Sequence, residues 1–220
     1  MTEIINNTNY TAPTHRKSII NIIAGVISLI FTPLLVPTYG VLLSLNYTFI
    51  VGLSQGSTRA LIILTTFAIT CMLPACIIAL LHRLGKISDP GVNEQKERFI
   101  PYIAAIICYV ICAIYLRNIN APIWIPMFII GGGIAAIASA LINLKWKISA
   151  HGAGMGGIIA LTFTIWCNGY NFIDFMPLAS IAIIAAGLVG SSRIILNRHT
   201  LGHVLAGILN GFFWVFIMTI

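Results

Sequence analysis

The sequence predicts an all-α, polytopic transmembrane helical bundle with about six to seven spans. Hydrophobic residues make up 59% of the 220 residues, whereas charged residues make up only 8%. Soluble domains carry roughly 25% charged residues, so this composition excludes a soluble globular protein. The mean hydropathy of +0.99 agrees with that conclusion. Long apolar runs recur along the chain, and several approach the ~20 residues that a helix needs to cross a bilayer.

The chain divides into a polar N-terminal tail, residues 1–17, and a single transmembrane domain, residues 18–220. Apolar segments are predicted at 18–49, 59–81, 101–116, 122–143, 151–167, 176–192 and 200–219. The first segment is too long for one straight span. It contains Pro33 and Pro37, and proline kinks or breaks a helix. We therefore expect either one bent span or a re-entrant pair.

Glycines in the later segments are expected to serve helix packing. Gly152 and Gly156 lie in one segment, and Gly207 and Gly211 lie in another. Lipid gives helices no hydrophobic reason to associate, so small residues that permit close approach are favoured at their interfaces.

Basic residues concentrate in the loops 82–100, 144–150 and 193–199, which share one face because two crossings separate each from the next. The basic and imidazole side chains on that face are Arg83, Lys86, Lys96, Arg98, Lys145, Lys147, Arg193, Arg198, His82, His151 and His199. The positive-inside rule accounts for lysines and arginines in such loops without any catalytic role. It does not account for the histidines, which favour a convergent site for an anion.

Two short motifs on this face combine residue types that suit phosphoryl transfer. Ser149-Ala150-His151 opens one apolar segment, and Ser192-Arg193 closes another, with His199 six positions after the arginine. An arginine and a histidine at the end of a membrane helix cost free energy to keep there, which indicates a chemical role.

The order and spacing of these motifs resemble the signatures of the type-2 phosphatidic acid phosphatase family, an all-helical family that includes glucose-6-phosphatase and the vanadium haloperoxidases. The family's third signature is kept at Ser192, Arg193 and His199. It departs at His203, which stands where the family has an aspartate.

The other two signatures are less faithful. Ser149-Ala150-His151 keeps the serine and histidine of the second signature and lacks its proline and glycine. Arg98-Phe99-Ile100-Pro101 keeps an arginine near a proline, as in the first signature. Gly91 stands where that signature has a lysine, a role that the nearby Lys96 could fill.

The resemblance implies a metal-independent lipid phosphatase that uses no cofactor. His199 would be the nucleophile that carries a phosphohistidine intermediate, and His151 would be the general acid that protonates the leaving lipid alkoxide. His203 would orient His199 by accepting a hydrogen bond in place of the aspartate. The residues implied to bind the substrate phosphate are Arg193, Arg98, Ser149 and Lys96.

On this interpretation the substrate is a phosphate monoester or diphosphate of a lipid whose tail stays in the bilayer. We expect phosphorylated lipids and membrane lipids as partners, and no nucleic acid. The expected location is a bacterial inner membrane, in which the protein is integral.

Two other functions fit the same residues. A phospholipid-binding or transport protein on the same scaffold would explain His203, because a neutral histidine brings no negative charge to His199. A membrane enzyme with a three-histidine metal site would use His151, His199 and His203, since His199 and His203 share one helix face. Arginines on that face would repel a cation.

Overall fold

The computed structural model describes residues 19–48, 56–89, 97, 99–170 and 175–220, which contain eight helices. Their bounds are α1 Ile19–Ile30, α2 Val36–Tyr47, α3 Gly56–Arg83, α4 Phe99–Asn118, α5 Trp124–Ile142, α6 Ala150–Cys167, α7 Phe175–Ile195 and α8 Leu201–Thr219. α3 is continuous and includes a π-helical stretch at Ala68–Met72, which ends two residues before Pro74. A π stretch beside a proline is a common way to accommodate its missing N–H.

Six of these helices, α3 to α8, are long and apolar enough to cross a membrane. Large apolar side chains remain exposed on their outer faces, as Ile107, Val110 and Ile114 do on α4. Such a surface would be unfavourable in water and is normal against lipid. The predicted fold class, an all-α polytopic membrane bundle, is confirmed.

The first apolar segment is divided between α1 and α2, each of 12 residues. The break contains Pro33, and Pro37 lies in the first turn of α2. The Tyr39 hydroxyl donates to the carbonyl oxygen of Ile30 at 2.8 Å, which ties the start of α2 to the end of α1. The predicted disruption by proline is therefore present.

Contacts from Ser28 to Gly40 follow one direction through the bundle. Ser28 of α1 lies beside the start of α6, and Pro33 accepts a hydrogen bond from Tyr109 in the middle of α4. Gly40 of α2 packs on Phe128, in the second turn of α5. These three neighbours lie progressively farther from the end of the bundle at which α6 begins. We call that end the site end.

α6 and α8 pack backbone to backbone through their glycines. A Cβ added at Gly156 would collide with the carbonyl oxygen of Ile208, and one at Gly211 would collide with that of Ala153. A Cβ added at Gly152 or at Gly207 would likewise collide with a facing carbonyl oxygen, that of Val204 or of Ser149. The predicted packing role of these four glycines is confirmed, and the close approach fixes the starts of α6 and α8 side by side.

Candidate functional site

A cavity of about 700 Å³ extends from the site end into the bundle. Its walls come from the α1–α2 segment and from α4, α5 and α6, with further residues from α3, α7, α8 and the loop between α7 and α8. The polar side chains toward its site end include Ser28, Tyr102, Ser139, His151, Arg193, Arg198 and His199. Deeper in the bundle the lining is mainly apolar and includes Phe128, Ile129 and Val215. The cavity therefore has a cationic head and an apolar body.

His151 reaches the cavity because it lies in the first turn of α6. Its Nε2 lies 3.0 Å from the main-chain oxygen of Ser28 and 3.3 Å from the Ser28 hydroxyl oxygen. A carbonyl oxygen can only accept, so the first contact requires a hydrogen on Nε2. This tautomer holds its proton on a nitrogen at the cavity wall.

Arg193 lies in the last turn of α7, where a cation interacts favourably with the helix C-terminus. Its side chain is buried, and Nη1 donates to the hydroxyl oxygen of Ser28 at 2.6 Å. Ser28 thus contacts residues from both motifs.

The spacing between Arg193 and His199 follows from the way α7 ends. The N–H of Arg198 donates to the Arg193 carbonyl at 3.0 Å, and the N–H of Asn197 donates to that of Ile194 at 2.9 Å. Asn197 has φ 54°, in the left-handed region. These are the features of a Schellman termination. The turn reverses the chain and places His199, which is 7% exposed, against the same cavity as Arg193.

His203 takes part in the start of α8. The Thr200 side chain accepts from the N–H of His203 at 3.4 Å, and Nδ1 of His203 accepts from the N–H of Thr200 at 3.3 Å. This reciprocal pair is a capping box with histidine in place of the usual glutamate. With Nδ1 accepting, the proton of the neutral ring lies on Nε2, which can donate but cannot accept.

The imidazole rings of His203 and His199 lie in contact. The two rings pack edge to face with centroids 5.8 Å apart, and the His203 ring also packs on Trp146 at 4.9 Å. The sequence predicted that His203 would accept a hydrogen bond from His199. The capping bond occupies Nδ1 of His203, which is the acceptor nitrogen of its neutral ring, and the orienting role of His203 stays a prediction.

Ser149 is fully buried and caps α6 rather than lining the cavity that the described residues form. Its hydroxyl accepts from the N–H of Gly152 at 3.1 Å. Its own N–H donates to the carbonyl oxygen of His203 at 3.1 Å, which joins the starts of α6 and α8. Ser149 thus caps α6, and the contact between its hydroxyl and phosphate stays a prediction. The other two predicted phosphate ligands, Lys96 and Arg98, lie outside the described residues.

At the cavity's polar end, the sequence placed Arg198 on the basic face without assigning it a role in the site, and it missed Ser28, Tyr102 and Ser139. Arg198 lines the cavity next to His199, and its position directly before that histidine was an available signal. Ser28 belongs to no motif and is a single hydroxyl within an apolar run, so nothing in the sequence singled it out.

The charge of the site selects for anions. Two arginines and two histidines line its polar end, and none of the described lining residues is acidic. Across the described ranges, no three His, Cys, Asp or Glu side chains are grouped so that they could hold a metal ion. The geometry therefore favours a bound anion over the three-histidine metal site.

Comparison with known proteins adds no relative. No family model, curated protein or solved structure matches the chain. The resemblance to the type-2 phosphatidic acid phosphatases therefore depends on the motif residues alone.

Proposed function

We propose that the protein is an integral membrane lipid phosphatase, which hydrolyses a phosphate monoester or diphosphate of a lipid through a phosphohistidine at His199. One observation carries the proposal. His151 comes from one motif and Arg193 and His199 come from the other, and all three line the polar end of one otherwise apolar cavity. This constellation supplies a nucleophile, a proton donor and a cationic phosphate ligand. We place the protein in a bacterial inner membrane, as the resemblance implies.

In the first displacement, an imidazole nitrogen of His199 forms a bond to phosphorus as the bond from phosphorus to the lipid oxygen breaks. His151, as the imidazolium, transfers its Nε2 proton to that departing oxygen and becomes neutral, so the lipid leaves as an alcohol or, from a diphosphate, as a lipid monophosphate. In the second displacement, water attacks the phosphohistidine and gives a proton to His151. Inorganic phosphate leaves, and both histidines return to their initial states.

The arginines stabilise the phosphoryl group through both displacements. Arg193 can offer two parallel N–H donors to phosphate oxygens, and Arg198 adds a second cation at the same wall. Lys96 and Arg98 remain proposed as further ligands on the basis of the resemblance. A guanidinium is charged at every physiological pH, so the site favours anions without help from a cofactor.

The apolar body of the cavity favours a lipid over a water-soluble ester. Small residues widen it on three helices: Ala105 on α4, Gly132 and Ala136 on α5, and Gly154 and Gly157 on α6. A hydrocarbon chain there would contact mainly carbon, whereas the phosphate would lie among the arginines and histidines. Burial of each CH₂ group contributes about 0.8 kcal/mol, so a tail would add substantially to binding.

A second candidate is favoured by one specific observation, the histidine at position 203. The resemblance expects an acid there, and the capping bond to Thr200 directs Nδ1 of His203 away from that orienting task. If no acid orients His199, the same cavity would suit a protein that binds or transports a phosphorylated lipid without turnover.

Phosphate release from phosphatidic acid and from a polyprenyl diphosphate, by the purified protein in detergent, distinguishes the two functions. We expect release by the wild type and a loss of about a thousandfold or more in His199→Ala, because the intermediate cannot form. His82→Ala is the matched control. His82 is also near the site end and bonds the Ile87 carbonyl at 3.1 Å, but it does not line the cavity. Binding without release by the wild type would support the second candidate.

A further inference from the structure

Ser28 lies at the centre of the hydrogen bonds that connect the two motifs, although it belongs to neither. It is separated by 123 residues from His151 and by 165 from Arg193. α1 brings it to both side chains, with its hydroxyl oxygen 2.6 Å from Nη1 of Arg193 and 3.3 Å from Nε2 of His151. We infer that Ser28 is a positioning residue, which holds the Arg193 guanidinium and the His151 imidazole in one arrangement at the phosphate-binding end of the cavity.

The chemistry of the three groups permits both contacts at once. A guanidinium can only donate, and Nε2 of His151 donates to the main-chain oxygen of Ser28 at 3.0 Å. A serine hydroxyl has two lone pairs, so its oxygen can accept from Arg193 and share the Nε2 hydrogen with the neighbouring carbonyl. Alanine at position 28 would keep the carbonyl contact with His151 and lose the contact with Arg193.

Burial strengthens the hydrogen bond between Ser28 and Arg193. Ser28 is 8% exposed and Arg193 is 9% exposed, so water has little access to the hydrogen bond between them. Hydrogen bonds to charged groups are stronger than neutral ones, and exclusion of water strengthens them further. With the hydroxyl removed, the guanidinium would have additional orientations, and only some of these would match a phosphate.

A purely structural role would have a different signature. If the hydroxyl only fastened α1 to α7, its loss would lower the thermal stability and leave the affinity for phosphate unchanged. A positioning role predicts weaker phosphate binding that depends on Arg193. The inference rests on the proposed function only in requiring that a lipid phosphate binds at Arg193.

The test measures the affinity of the full chain in detergent for a non-hydrolysable lipid phosphonate, by calorimetry. We expect Ser28→Ala to bind about tenfold more weakly, as for a lost hydrogen bond to a charged group. Ser28→Thr, which keeps a hydroxyl, should recover most of the affinity. Ser44→Ala is the matched control, because Ser44 is a buried serine of α2 whose hydroxyl bonds the Gly40 carbonyl at 2.7 Å.

The dependence on Arg193 is tested by repeating the change in an Arg193→Met background. There Ser28→Ala should have no further effect, since its partner is already absent. If the tenfold loss persists in that background, or if Ser28→Ala binds like the wild type, the inference is wrong. Ser28→Cys, with a weakly accepting sulfur, replaces the alanine variant if that variant does not fold.

The same measurements distinguish a failure of the proposed function from a failure of the role inferred for Ser28. A wild type that does not bind the phosphonate overturns both the proposed function and the role of Ser28. A wild type that binds but releases no phosphate from lipid substrates overturns the phosphatase alone, and the affinities of the Ser28 variants still decide the inference.

Discussion

The starts of α6 and α8 lie side by side and are built alike, yet their histidines do different things. Each helix begins at a hydroxyl N-cap, Ser149 or Thr200, and each has a histidine two or three residues later. His151 of α6 lies at the cavity and contacts Ser28. His203 of α8 instead turns back to the N–H of Thr200. At α8 the cavity-lining histidine is His199, directly before the cap.

At both helix starts, the residue that caps the helix is different from the histidine that lines the cavity. Both cap hydroxyls accept from main-chain N–H groups of their own helices, Ser149 from Gly152 and Thr200 from His203. Orphan N–H groups at a helix start must be satisfied, and a short polar side chain does this best. In the proposed mechanism, the nucleophile and the general acid are imidazoles outside the capping bonds.

Of the substitutions at the two helix starts, replacement of His151 should cause the largest loss of turnover. His151→Ala should lower turnover about 10²–10⁴-fold on a lipid phosphate, whose alkoxide needs a proton to leave. On an aryl phosphate, whose leaving group is stable without a proton, the loss should be much smaller. Hydrolysis rates for the two substrates, with His82→Ala as control, give the comparison. Equal losses on both would remove His151 as the general acid.

Replacement of His203 should have a smaller effect, because its ring packs on His199 without touching the phosphate in the proposed mechanism. His203→Ala should reduce turnover by roughly tenfold or less and also destabilise α8, since half of the capping box is lost. His203→Asp restores a capping acceptor and the negative charge expected from the resemblance, so it should preserve or raise turnover. Steady-state kinetics of both variants check this. A loss with His203→Ala as large as that with His199→Ala would contradict a packing role.

The smallest effects on activity should come from the caps themselves. Ser149→Ala and Thr200→Ala should each lower the free energy of unfolding by about 1 kcal/mol, the usual cost of an N-cap. Both should leave the KM for lipid phosphate nearly unchanged. Unfolding in detergent and steady-state kinetics measure the two quantities. A rise in KM confined to Ser149→Ala would return Ser149 to the phosphate cradle.

Most of the fold could be predicted from the sequence, because hydropathy alone marks helices that must satisfy their backbone within lipid. The break near Pro33 was also predictable. The path of the α1–α2 segment through the bundle was not, because it depends on contacts with Tyr109 and Phe128. His151, Arg193 and His199 were found through their motif spacing. Ser28 was not, because its partners are more than a hundred residues away and one hydroxyl in an apolar helix carries no periodic signal.

The central claim, covalent transfer of phosphate to His199, is tested most directly by trapping the intermediate. The purified protein is mixed with a lipid substrate whose transferable phosphate is labelled, and the reaction is stopped in alkali, in which phosphohistidine survives. We predict acid-labile label on the wild type and on His82→Ala, and none on His199→Ala. With an aryl phosphate, label should accumulate on His151→Ala, because loss of the base slows the attack of water. Turnover by the wild type without retained label, or label that persists on His199→Ala, would contradict the account.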